Sequence, residues 1–262
     1  MRVADLGDIR IHWREDGDPA GAPVVFLNSL GTDLRLWDKT VARLPPGWRA
    51  VRMDKRGHGL SDCPPGPYPM GALIRDAERV IEAAGVTGAV IVGCSIGGMI
   101  AQGLAVKRPD LARALVLSNT GAKIGTPAMW EDRIATVRAQ GVAALADAVM
   151  ARWFAPAFRA SAEAAAWRNM LTRTPAEGYA GCAAAIAGAD FRATTARLTL
   201  PTLAIAGSED GSTPPDLVRE TAELIAGSRF HLIRGAGHLP CVEAPEAFSA
   251  ALADFLAGLP PA

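Results

Sequence analysis

The chain has 262 residues, 50% of them hydrophobic and 21% charged, a balance that excludes a disordered or fibrous chain and fits one globular domain. Its 27 basic residues match its 27 acidic ones, so no net charge is offered to nucleic acid or to an anionic membrane, and small molecules are the expected partners. The four cysteines, Cys63, Cys94, Cys182 and Cys241, form no CxxC pair and no cluster with histidine, so neither a zinc site nor a disulfide framework is expected; a reducing cytoplasm fits.

In chain order, Met1 to Ile11 carries Asp5 and Asp8 and lacks the apolar run of a secretory signal. Ile9 to Trp13 and Trp48 to Met53 read as strands, and Pro23 to Leu27 as a short apolar strand of the kind buried on both faces. Ala83 to Val106 is uncharged and long enough to span a bilayer. Its interior argues otherwise: Gly85, Gly88, Gly93, Gly97, Gly98 and Gly103, with Thr87, Ser95 and Gln102, divide it into strand, turn and helix. The runs Ala89 to Val92 and Ala114 to Leu117 flank a helical pattern from Ile96 to Val106, which predicts a parallel βαβ unit.

From about Gly121 to Thr195 the chain is Ala-rich, with Trp130, Met150, Trp153, Trp167 and Met170 among helix formers and no strand pattern. We read residues 121–195 as a helical insertion above the carboxyl ends of the sheet, a cap or lid, between the two parts of an α/β core at 1–120 and 196–262. The alternation then resumes. Pro201 to Ala206 and Phe230 to Ile233 bracket a helix from about Asp216 to Ile225, and Pro245 opens a last helix through Leu256. The expected architecture is a mostly parallel central sheet with helices on both faces.

Gly93-Cys94-Ser95-Ile96-Gly97 lies between a predicted strand and a predicted helix, the context in which a G-x-S-x-G turn raises a serine hydroxyl out of the sheet. No Gly-Lys-Ser/Thr ending follows, so it is not a phosphate loop. A serine needs a base to take its proton and a carboxylate to orient that base. His238, in Gly235-Ala236-Gly237-His238, follows one later strand, and Asp210 follows another. Glu209 is the competing acid. His12 and His231 lie within strands, and His58 and Arg56 sit in a Gly-rich turn where packing roles are expected. The Cys94 thiol should point away from Ser95 into the sheet and be inert.

With the loop Asn28-Ser29-Leu30-Gly31, the segment from Asp54 to Ser61, the serine turn, Asp210 and His238, the chain resembles the α/β-hydrolase superfamily over nearly its whole length. Through Asn28 to Asp33, Gly93 to Gln102, Ser118 to Gly125, Trp130 to Arg133 and Asp210 to Pro215 it looks like the 3-oxoadipate enol-lactonases of the β-ketoadipate pathway. The resemblance implies a Ser95-His238-Asp210 triad, an oxyanion hole from the backbone amides of Leu30 and Ile96, no metal or cofactor, and an anionic lactone as substrate. Asn28-Ser29-Leu30-Gly31 departs from the family's His-Gly-x-Gly, a change that leaves a backbone donor in place. The lactone's acetate arm calls for a guanidinium. Arg133 lies one helical turn after Trp130, so the two would share a face beside the substrate, with Lys123 and Arg138 as rivals. A carboxylesterase, a perhydrolase-like haloperoxidase or a carbon-carbon hydrolase could share this triad, and a non-catalytic ligand receptor could keep the scaffold.

Overall fold

In the computed structural model, residues 1–260 are described. Eight strands form one sheet in the order β1-β2-β4-β3-β5-β6-β7-β8. They are β1 (Arg2–Asp5), β2 (Arg10–Gly17), β3 (Ala22–Leu27), β4 (Trp48–Met53), β5 (Ala89–Cys94), β6 (Ala112–Ser118), β7 (Thr202–Gly207) and β8 (Arg229–Ile233). β1 pairs antiparallel with β2 and β2 antiparallel with β4; every other pairing is parallel. Every residue of β5 and β7 is buried. Alternate side chains of a strand point to opposite faces, so the sheet is covered on both.

The longer helices are α1 (Met70–Ala83), α2 (Ile96–Lys107), α3 (Pro127–Gln140), α4 (Ala146–Trp153), α5 (Ala162–Thr172), α6 (Ala176–Ala187), α7 (Pro215–Glu223) and α8 (Pro245–Ala257). Helix α2 is the crossover connection that a parallel β5-β6 pair requires. Two elements exceed the sequence expectation. Strand β1 is a four-residue edge with one buried side chain, Ala4, and so carries almost no hydrophobic pattern. Helix α1 shows its stripe clearly, Leu73, Ile74, Ala77, Val80 and Ile81, spaced to form one buried face. The uncharged run from Ala83 to Val106 is divided among the end of α1, β5 and α2, and among the described residues no helix is long and apolar enough to cross a membrane.

The parallel strands all end on one side, and the loops leaving β3, β4, β5, β6, β7 and β8 meet there. Between β6 and β7 the described chain is helical, without a strand, and includes α3 to α6. This segment is tied to the sheet loops by backbone contacts: the His238 amide donates to the Trp153 carbonyl at 2.7 Å and the Gly211 amide to the Arg152 carbonyl at 3.2 Å. At α6 the approach is closer still, because a Cβ on Gly178 would stand 2.2 Å from the Gly57 carbonyl oxygen.

That contact makes a stability prediction. Helix propensity alone favours Gly178→Ala by about 1 kcal/mol, but the backbone clash should make it net destabilising by about 1–3 kcal/mol. Gly71→Ala in α1, whose new methyl meets nothing within 4 Å, should be neutral or stabilising. Urea midpoints of the two variants check this; a Gly178→Ala protein as stable as wild type would contradict the close approach.

Candidate active site

Ser95 links β5 to α2 with φ 57° and ψ −120°, in the left-handed region that residues bearing a Cβ avoid. Holding it there costs about 1–3 kcal/mol, and the neighbours are shaped to permit it. A Cβ on Gly93 would lie 2.3 Å from the Gly97 carbonyl oxygen, and one on Gly97 only 2.1 Å from that of Leu27. Helix α2 can therefore begin directly against the end of β3. Two bonds fix the turn: the Ser95 amide donates to the Ser118 carbonyl at 3.0 Å, and Thr120 Oγ1 donates to the Ser95 carbonyl at 2.6 Å.

His238 is placed by the loop after β8. Its Nδ1 lies 2.9 Å from Asp210 Oδ2, and both side chains are almost fully buried. The Asp210 carboxylate also accepts from the amides of Ser212 (2.7 Å) and Thr213 (2.9 Å), from Thr213 Oγ1 (2.7 Å) and from Asn119 Nδ2 (2.9 Å). Burial on its own would raise the Asp210 carboxyl; the imidazole and these donors outweigh it and hold the group below the ordinary carboxylate range. With Asp210 charged, Nδ1 carries the proton and Nε2 is left as an acceptor. Nε2 lies 3.4 Å from Ser29 Oγ. Among the described residues Ser95 Oγ makes no hydrogen bond to His238 within 3.5 Å; such bonds commonly close only around substrate.

Ser95 and His238 line one cavity of about 260 Å³, together with Ser29, Leu30, Trp130, Arg133, Arg152 and Tyr179 among others. The amides of Leu30 and Ile96 donate to no acceptor among the described residues, which is uncommon for buried backbone N–H groups and suits an oxyanion site. The Arg133 guanidinium carbon lies 5.1 Å from the Trp130 ring centroid, so the two do share a face of α3. Tyr179 is buried beside them; burial pushes its hydroxyl up while Arg133 and Arg152 pull it down. Neither arginine has a carboxylate within 4.0 Å among the described residues. Lys123 instead pairs with Asp190 at 3.3 Å, and neither it nor Arg138 lines the cavity. A larger cleft, about 460 Å³ between the loop after β3 and α5, contains neither Ser95, Asp210 nor His238.

The remaining expectations fall as follows. The exposed Glu209 is tied to Ser208 (3.3 Å) and has no bond to His238. The Cys94 thiol faces the His238 carbonyl at 3.7 Å, fully buried, and burial pushes its pKa well up. His12 pairs with Asp54 at 2.7 Å, Arg56 with Asp76 at 2.6 Å, and His58 Nε2 accepts from the Gly31 amide at 3.0 Å. The sequence reading did not single out Asn119, Thr213, Arg152, Tyr179 or the Ser29 hydroxyl. Asn119 had a signal in its position at the exit of β6, as had Ser29 in the loop after β3 and Thr213 in the loop after β7; Arg152 and Tyr179 had none.

Residues 22–245 match the family described as alpha/beta hydrolase fold. The chain belongs to the alpha/beta hydrolases. This hydrolase is 33% identical over 247 residues to 3-oxoadipate enol-lactonase 2 of Acinetobacter baylyi, covering 94% of this chain and 92% of that one. It is 35% identical over 241 residues to 3-oxoadipate enol-lactonase 1 of the same organism, covering 91% and 90%. Among solved structures it is similar to the enol-lactonase from Burkholderia xenovorans LB400, with a TM-score of 0.94 at 36% identity over 98% of this chain and 100% of that one.

Thiol chemistry offers a check on the burial of Cys94 beside the serine turn. A disulfide reagent should modify only the exposed Cys63 in the native hydrolase and all four cysteines after unfolding, with activity retained in the singly modified protein. Modification of Cys94 in the folded protein, with loss of activity, would overturn the inert placement of that thiol.

Proposed function

We propose that this hydrolase opens 3-oxoadipate enol-lactone to 3-oxoadipate through a covalent Ser95 intermediate. The observation that carries the proposal is one cavity holding a serine on a strained turn, a carboxylate-oriented imidazole and two guanidinium groups that have no carboxylate partner among the described residues. Its likeness to enol-lactonases at 33–36% identity supports the choice of substrate.

In this mechanism Ser95 Oγ attacks the ring carbonyl as His238 Nε2 takes its proton, and the Asp210 carboxylate stabilises the imidazolium. The Leu30 and Ile96 amides receive the oxyanion. Collapse of the tetrahedral intermediate breaks the ring carbon-oxygen bond, and the enol oxygen leaves as His238 returns the proton. That oxygen stays tethered to the acyl group and could re-close the ring at high effective concentration. Tautomerisation to the ketone removes the nucleophile, after which water, deprotonated by His238, releases Ser95. Arg133, on the face it shares with Trp130, binds the acetate arm, and Arg152 is a second cation at the same cavity. Residues 121–195 act as the cap that presents them.

Two measurements test this. Incubation with the enol-lactone should yield 3-oxoadipate, with Ser95→Ala lowering turnover by at least about 10⁴-fold; no product from the wild type, alongside fast cleavage of simple neutral esters, would make it a carboxylesterase. Arg133→Ala should cost about 10- to 100-fold in kcat/KM on the lactone, the worth of a charged hydrogen bond, and little on a neutral ester of similar size. Equal losses on both substrates would reject Arg133 as the carboxylate site.

A further inference from the structure

Given the Ser95 mechanism proposed above, we propose that Lys55 is a positioning residue of the oxyanion site: its buried ammonium, bonded to the Ser29 carbonyl, orients and polarises the peptide whose N–H belongs to Leu30. Lys55 Nζ donates to the Ser29 carbonyl at 2.6 Å and to the Thr32 carbonyl at 3.0 Å. Lys55 is 4% exposed, and among the described residues no carboxylate lies within 4.0 Å of its ammonium. Lysine is seldom buried without an ion-pair partner, because desolvation of the charge is costly. Here the charge is placed on two carbonyls of one loop, the loop that supplies the unpaired Leu30 amide.

The Ser29 carbonyl also accepts from Thr32 Oγ1 at 2.9 Å. Ser29 C=O and Leu30 N–H are the two ends of a single resonant amide. A cation on the oxygen draws electron density through that unit, and the N–H becomes a stronger donor as charge develops on the substrate. The rest of the loop is pinned around it. The Gly31 amide donates to His58 Nε2 at 3.0 Å, the Leu34 amide to Asp54 Oδ1 at 2.7 Å, and Asn28 Nδ2 to the Met53 carbonyl at 2.7 Å. Thus β4 and its exit, together with the loop's own Asn28 and Thr32 side chains, hold the donor.

Burial lowers Lys55 to about 8, with smaller opposing contributions from Cys182, Asp54, Asp33 and Cys94. Both carboxylates are engaged elsewhere, Asp33 with Arg35 and Asp54 with His12. Burial raises both thiols, Cys182 to about 12 and Cys94 well above its usual value, and burial with Lys55 nearby holds His58 neutral. Of these groups only Lys55 changes charge as pH rises through about 8. The polarising cation is present below that pH and lost above it, so kcat should fall along an alkaline limb near pH 8.

The test is the pH profile of kcat and KM for p-nitrophenyl acetate, measured on the wild type, Lys55→Met and Thr32→Val. Lys55→Met should lower kcat at pH 7 by about tenfold to a hundredfold, less than loss of a direct oxyanion donor, with KM within about twofold and without the alkaline limb. Thr32→Val, which removes an uncharged donor from the same carbonyl, should cost a few-fold at most and keep the limb. Should Lys55→Met fail to fold, the Thr32→Val and wild-type profiles still decide: a wild-type kcat flat from pH 7 to 9 overturns the inference. So does a folded Lys55→Met protein with kcat within twofold of wild type, or one that keeps the limb. A wild type inert to the ester and to serine-directed reagents would instead overturn the Ser95 mechanism, and this inference with it.

Discussion

The site depends on a backbone conformation that its own residue disfavours. Ser95 has φ 57°, and it stays there because glycines on both sides remove every Cβ that would obstruct the turn, while Ser118 and Thr120 bond its amide and carbonyl. Relaxing the turn would shift the start of α2, since Gly97 rests against the last residue of β3. The strain is thus distributed over β3, β5 and β6, three adjacent strands of a buried sheet. A small cost in stability fixes the serine relative to loops that come from distant parts of the chain.

Charge is arranged on the same plan. Asp210 accepts from two amides, a hydroxyl and a carboxamide as well as from His238, so it remains ionised despite burial and sets the imidazole tautomer. Lys55 and His58, from the loop after β4, grip the loop after β3 from behind. Neither needs to touch substrate to matter, because the geometry of a preorganised donor is what an oxyanion site supplies.

Much of this was legible in the sequence because parallel strands buried on both faces leave short continuous apolar runs, such as Val90-Ile91-Val92, and because Gly93, Gly97 and Gly98 mark the turn between strand and helix. Asp210 and His238 could be found by the rule that functional residues follow strand ends. The edge strand β1 left no pattern to read, as only Ala4 of its residues is buried. Thr213, three residues after Asp210, bonds it locally, but Asn119 reaches Asp210 from a distant part of the chain, and Arg152 and Tyr179 reach the cavity only through the packing of α4 and α6. No local spacing encodes such meetings. Lys55 is similar: within Asp54-Lys55-Arg56-Gly57 it looks like a solvent-facing turn residue, and only the fold reveals two carbonyls around its ammonium.

The central claim is that Ser95 is a nucleophile activated by His238. It is tested most directly by intact-mass and peptide mass spectrometry after exposure to a fluorophosphonate. One adduct on Ser95, forming rapidly in the wild type and much more slowly in His238→Ala, is the result expected. A wild-type protein that takes no label, or takes it elsewhere, would contradict the account.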